Sequence, residues 1–395
     1  MSEVSVGASE AQVHVRETAA RPERTVPLFD LKRQEPGVRG RIEARMDEVL
    51  RHCQFVLGPE VDELEKALAA YCGARHAIGV SAGRDALTMA LMALGAGPGD
   101  AVFVPAFTFS ATAGAVAAVG ATPVFVDIDA ATFNIDPHDL DRVAGHVAAA
   151  GKLTPKAVMP VDLYGLPADH AAVAKVAERH GMTVIADAAQ SFGARAGGRC
   201  VGAMAPITAT SFYPTKPLGG YGDGGALFTD DDALADEVRL IRTHGRLGSG
   251  DEALRLGMTG RLDTLQAAVL LVKLEEFAEE LAARRHIATL YSEALAGDVI
   301  APTVPPGSDS AWALYTVRVA DRDGVRARLS AAGVGTGLFY AIPLHRHAAF
   351  KPWVNGGETL PVSEQLAGEV LSLPIYGGLT DEEVAYVVGQ LKAAL

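Results

Sequence analysis

Cysteine is scarce in this chain: Cys53, Cys72 and Cys200 are the only three, an odd number with no C-x-x-C spacing. That pattern excludes a disulfide framework and a zinc-type ligand set, and it suits a reducing compartment with buried thiols. Nowhere do ~18 apolar residues run together, so no transmembrane helix is expected. The opening stretch MSEVSVGASEAQVHVRETAARPER lacks the apolar core of a signal peptide, and residues 1–25 read as a flexible tail on a cytoplasmic protein. Basic blocks are missing too. With 35 Lys+Arg against 48 Asp+Glu and a formal net charge of -13, nucleic acid and membrane are excluded as main partners. An anionic ligand would have to be met by a local cluster of donors. There is no internal repeat and no low-complexity tract.

What is present is enough chain, 395 residues, for a large domain over residues 26–280 and a small C-terminal domain over 281–395. The large domain opens with helical patterns over Val38–Cys53 and Pro59–Tyr71, the second placing Val61, Leu64 and Leu68 on one face. Seven short apolar runs then alternate with Ala-rich helical stretches: HAIGV, AVFVP, TPVFVDI, KAVMPVDL, TVIADA, TATSFY and GGALFT. Such alternation predicts an α/β fold, a mainly parallel sheet between helices. Ligands of such sheets bind beyond the carboxyl ends of the strands. Polar and special residues collect there: Ser81 and Gly83, Thr108 and Phe109, Asp187 and Gln190, and the stretch from Ser211 to Lys216. Beyond residue 230 the chain reads as helical, with one long helix from Arg261 to Leu295. The remainder reads as α+β, ending in a helix with a Thr380-to-Glu383 capping box.

Three of these positions carry chemistry. Lys216 sits in TSFYPTKPLGGYGDGGAL between two strand-like runs, and a lysine used covalently has to be held and partly desolvated. Alone, a loop lysine is usually a solvated charge. Asp187 ends an apolar strand, commonly the place of a cap or turn residue. A carboxylate there could instead keep the ring nitrogen of pyridoxal 5'-phosphate (PLP) protonated, which that cofactor needs as an electron sink. Gly83 lies in VSAGRDALTMAL, a turn into a helix whose free N–H groups suit a phosphate, although a strand, a Gly turn and a helix also make an ordinary connection.

With FVLGPEVDELEKALAAYCGARHAIGVSAGRDAL, PAFTFSATAGAVAAVGATPVFVDID, VIADAAQSFGA, SFYPTKPLGGYGDGGALFT and GRLDTLQAAVLLVKL in this order, the chain resembles the DegT/DnrJ/EryC1/StrS sugar aminotransferases from about Val26 onward. The resemblance implies a fold-type-I PLP enzyme with a mainly parallel seven-stranded sheet between helices and a smaller α+β C-terminal domain. It implies that Lys216 forms the Schiff base with PLP and moves the proton, and that Asp187 pairs with the pyridinium. Gln190 would lie near the phenolic oxygen, Phe109 would stack on the ring, and Ser211 with the backbone around Gly83 and Arg84 would cradle the phosphate. A homodimer with shared active sites is implied as well.

Three positions depart from the family pattern. Ala82-Gly83-Arg84 stands where Ser-Gly-Thr is usual, so Arg84 either bonds the phosphate or points away. Thr259 replaces an Asn that crosses to the partner's phosphate, and Asp162 replaces a common His. Lys216 itself disfavours the branch in which His replaces the lysine and dehydration replaces amino transfer.

The function expected from the resemblance is transfer of an amino group from an amino acid, glutamate, to the keto sugar of a nucleoside-diphosphate sugar. The wording after the lysine favours a 3-keto over a 4-keto substrate. Cations for the diphosphate are sought among Arg246, Arg255, Arg261, Arg346 and Lys351, and substrate contacts among Tyr340, His345 and His347. Two alternatives stay open: a same-fold PLP enzyme acting on a cyclitol or other ketone, or catalysing another PLP reaction, and a non-catalytic regulatory relative. Retention of Lys216, Asp187 and Gln190 argues against the last.

Overall fold

The computed structural model describes residues 24–34, 37–246, 250–354 and 358–395; the expected tail lies almost wholly outside them. Helices α1 (Arg39–His52) and α2 (Pro59–Cys72) lead in. The second starts on Pro59 with Glu60 and Asp62 in its first turn and stops at Gly73 in the left-handed region, the expected signals at both ends. The main sheet is built from β1 (His76–Val80), β2 (Asp100–Pro105), β3 (Thr122–Val126), β4 (Thr154–Val158), β5 (Thr183–Asp187), β8 (Ile207–Ser211) and β9 (Gly225–Thr229). All seven fall on the apolar runs of the sequence. Their spatial order is β1-β9-β8-β5-β4-β2-β3, with β9 alone running antiparallel to its neighbours.

Helices cover both faces, which is why strands such as β2 are buried on consecutive residues instead of alternate ones. Val102 and Val104 pack toward α3 (Gly83–Ala93), α4 (Ser110–Ala118) and α7 (Asp232–Ile241). Ala101 and Phe103, one residue out of phase, pack toward α5 (Pro137–Ala150) and α6 (His170–Arg179). Each fully buried Val or Phe among these contributes roughly 1.5–3 kcal/mol. A short hairpin of β6 (Arg195–Ala196) and β7 (Arg199–Cys200), extended by β10 (Ser308–Asp309), was not legible in the sequence.

The single long helix expected after residue 260 is two: α8 (Thr264–Glu275) and α9 (Phe277–Ala294), broken at Glu276, where ψ is 1°. Helix α9 joins the two units. Its Phe277 and Leu281 pack in the core of the large one, and its Ile287 and Tyr291 pack in that of the small one. The small unit pairs β11 (Tyr315–Arg318) with β12 (Val370–Leu373) against α10 (Arg322–Ala331) and α12 (Asp381–Ala394), with α11 (Pro361–Glu369) alongside. Both bonds of the Thr380/Glu383 capping box are present. Val26, the expected first residue of the large domain, instead joins the small unit: its N–H donates to the Gly333 carbonyl (2.9 Å) and its carbonyl accepts from Gly335 (2.8 Å). Among the described residues, no helix is long and apolar enough to cross a membrane.

Candidate active site

The carboxyl ends of β1, β2, β5 and β8 surround a cavity of about 400 Å³. Its wall includes Gly83, Arg84, Phe109, Asp187, Gln190, Ser211 and Lys216, and Phe339 and Tyr340 of the small unit close it.

The Lys216 loop is tied shut at its base, where the Phe212 N–H donates to the Gly224 carbonyl (2.8 Å) and the Gly220 N–H to that of Phe212 (2.7 Å). A Cβ on Gly219 would lie 2.4 Å from the Pro214 carbonyl oxygen, so the turn closes only with glycine. From α8, Gln266 accepts the Tyr221 N–H at 2.8 Å. Lys216 is therefore presented by a loop held at several points. Loss of water in the cavity wall lowers its pKa, against the opposing pull of Asp187.

Asp187, at the end of β5, is 5% exposed. Its carboxylate accepts from the Thr112 hydroxyl (2.8 Å) and from the Ala189 N–H (3.2 Å). Burial pushes its pKa up, more than those two donors and Lys216 pull it down. The cavity thus holds an acid and an amine whose charges are both disfavoured by desolvation; a cationic ring beside Asp187 would favour the carboxylate and leave the amine neutral.

The opposite end suits an anion. Helix α3 begins at Gly83 with no side chain capping it, so its first N–H groups are unspent. A Cβ on Gly83 would stand 2.7 Å from that of Ser211, and one on Gly225 would stand 2.7 Å from the Ala82 carbonyl carbon. The two glycines therefore let β8 and β9 press against the helix start and set Ser211 beside it. Ser211 Oγ accepts the Tyr213 N–H at 3.2 Å, which leaves its own proton to donate. A helix N-terminus plus a hydroxyl donor is an anion cup. The exposed Arg84 guanidinium donates to the Gly114 carbonyl of α4 (3.4 Å), so it is engaged with α4.

Between the two ends, Gln190 is fixed. Its Oε1 accepts the Tyr164 N–H (2.8 Å) and its Nε2 donates to the Tyr340 hydroxyl (3.3 Å). Tyr164 holds the left-handed conformation, φ 60°, a strained state for a non-glycine residue; here it aims the N–H at the amide. Phe109 is 58% exposed at the cavity, its ring 6.3 Å from that of Tyr340.

Three expected site residues do not line this cavity. Thr259 is exposed and its hydroxyl faces His244 Nε2 at 3.2 Å. Arg261 bridges Val80 through its backbone. His345 is buried against Phe125, with Nε2 2.8 Å from Glu364, because the first turn of α11 offers it a carboxylate. Arg255 and Arg346 are already paired, with Glu237 and Glu364; Arg246, His347 and Lys351 also lie off the cavity wall. Sequence reading missed Thr112 and Tyr164. Thr112 stands one turn after Thr108 and could have been found by that spacing; the left-handed Tyr164 leaves no local signal.

A UDP-2-acetamido-2-deoxy-3-oxo-D-glucuronate aminotransferase of Pseudomonas aeruginosa is 44% identical, over 93% of this chain and 99% of that protein. The crystal structure of a DegT DnrJ EryC1 StrS aminotransferase from Brucella abortus superposes with a TM-score of 0.91 at 44% identity, covering 93% of this chain and 99% of that one. NtdA from Bacillus subtilis, solved with bound cofactor PMP, gives a TM-score of 0.85 at 31% identity, over 96% of this chain and 86% of that one. Residues 37–392 match the DegT/DnrJ/EryC1/StrS aminotransferase family, and the chain belongs to it.

Proposed function

We propose that this aminotransferase binds PLP in the cavity and moves an amino group from an amino acid, glutamate, to the keto carbon of a nucleoside-diphosphate sugar, with a 3-keto sugar favoured. One observation carries the cofactor assignment: a desolvated lysine amine, a buried carboxylate and an uncapped helix start with a free hydroxyl donor share one cavity. The donor set fits the group, since the anion cup suits a phosphate and the acid suits a protonated ring nitrogen. When bound, PLP supplies an aldehyde that accepts the amino group and a ring that withdraws electrons from the reacting carbon. Lys216 anchors that aldehyde and afterwards moves the proton at the substrate carbon. Asp187 keeps the ring nitrogen charged, Gln190 offers its Nε2 donor, and Phe109 and Tyr340 supply the aromatic wall.

The 3-keto nucleotide-sugar assignment rests on the relative that acts on a 3-oxo UDP-sugar and on the Pro217–Gly225 wording. The neighbouring exposed side chains Phe55, Val56 and Leu57 support a homodimer, in which the exposed Thr259 would serve the partner's cavity. Borohydride reduction with peptide mapping tests the cofactor site: the pyridoxyl mass is expected on the Lys216 peptide, and its absence overturns the reading. Screening ketones against the amino form of the loaded enzyme tests the substrate. Return of the aldehyde absorbance with a free cyclitol and with no nucleotide sugar would replace the substrate class.

Two further outcomes follow from the site. Gly83→Ala puts a methyl 2.7 Å from Ser211 Cβ, so Ser211 is forced from the helix start and PLP affinity falls by about tenfold, the loss of one charge-assisted hydrogen bond; equilibrium titration of the apo-protein measures it. Because burial lowers the Lys216 pKa below the ordinary 10.5, the neutral, reactive amine is populated at lower pH than in free lysine. Covalent capture of PLP by the apo-protein therefore reaches half its limiting rate below that pH, which a series of absorbance traces across pH reads directly.

A further inference from the structure

Directly behind the Asp187 wall lies a charged cluster that the amino-transfer reading does not use. Asp162, in the loop after β4, is wholly buried. Its Oδ1 accepts from the Ala168 N–H (2.9 Å) and lies 2.8 Å from His170 Nε2; its Oδ2 accepts from the Ser191 hydroxyl (2.8 Å). Its own N–H donates to the Asp187 carbonyl (3.0 Å), and the Asp187 N–H donates to the Pro160 carbonyl (2.8 Å). One residue therefore grips the turn that carries Asp187 and Gln190 at both of its ends, by backbone at residue 187 and by side chain at residue 191.

A carboxylate wholly out of water must be compensated, and the compensating group is His170, itself nearly buried. Burial lowers the imidazole pKa, but the Asp162 and Asp169 carboxylates outweigh burial and the nearby Arg199, so the net displacement is upward. The Nδ1 of His170 has no hydrogen-bond partner among the described residues, so Asp162 is its sole polar contact there. A buried charged group held by hydrogen bonds is seldom more stabilising than apolar packing of the same volume; what it adds is a fixed register.

We propose that Asp162, balanced by His170 and acting through Ser191, is a positioning residue for the cofactor: it sets where the Asp187 carboxylate and the Gln190 amide meet the ring. This inference rests on PLP occupying the cavity. The test uses the full-length holoenzyme and the variants Ser191→Ala, Ser191→Thr and Asp162→Asn. Three quantities are read: the PLP dissociation constant, the visible circular dichroism of the bound cofactor, and kcat and KM for the amino donor.

Ser191→Ala, the mildest change, is expected to weaken PLP binding about tenfold, as for one hydrogen bond to a charged group. It should also diminish the cofactor dichroism and lower kcat with KM little changed, while Ser191→Thr restores all three. Asp162→Asn should move the same readouts further in the same direction. If wild type binds PLP on Lys216 and Ser191→Ala matches it within twofold in affinity and in dichroism, the cluster is merely structural and the proposal fails alone. If wild type does not take up PLP, the cofactor reading falls and this one with it.

Discussion

Replacing Lys216 with alanine is expected to lower turnover by about four orders of magnitude or more, the upper range for loss of a positioned acid–base group, while PLP still binds. The two effects separate because the side chain and the cradle belong to different parts of the fold. The anion cup is made by the start of α3 and by Ser211, and the carboxylate by the end of β5, none of which depends on the amine. What disappears is the group proposed to anchor the aldehyde and to move the proton. The variant should therefore show bound cofactor after gel filtration, no pyridoxyl-labelled peptide after borohydride, and turnover at background. Full activity in this variant would remove Lys216 from the mechanism.

Asp187→Asn should lower kcat by about 10² to 10³-fold, as for loss of one preorganised electrostatic partner. The substitution is nearly isosteric, and an Asn oxygen can still accept the Thr112 hydroxyl bond that the carboxylate accepts at 2.8 Å. What changes is the partner offered to the ring nitrogen: an anion becomes a neutral amide, and the nitrogen gives up its proton at lower pH. The defect should appear in both halves of the reaction, since the electron-withdrawing ring serves both, and rapid-mixing absorbance with donor alone and with ketone alone checks it. Near-normal rates would mean that another acid serves the ring, and Asp223 lies in the same wall.

Much of this arrangement could be read from the residues, and the reason is geometric. Parallel strands flanked by helices place their carboxyl ends on one edge, so Gly83, Phe109, Asp187 and Ser211, each just past or at the end of an apolar run, had to converge. Lys216 converges with them because its loop leaves and rejoins the sheet between adjacent strands β8 and β9. Side chains whose placement depends on another element were not legible. His345 was sought as a substrate contact, yet Glu364 lies within hydrogen-bond reach of its ring and Phe125 packs against it. The break at Glu276 has no Gly or Pro to announce it. Asp162 stands where the family commonly has His, and nothing local announces its partners: Ser191, and a His170 that lies eight positions further along the chain.

The closing of the cavity by Phe339 and Tyr340 and the stitching of Val26 to Gly333 and Gly335 have a bearing on synthesis. As the chain leaves the ribosome, the sheet and its lysine loop are complete some hundred residues before the walls that seal them. A nascent polypeptide halted near residue 300 would carry an open half-site, with the β-bridge partner of Val26 still untranslated, so the sealed cavity can form only once residue 340 has been made.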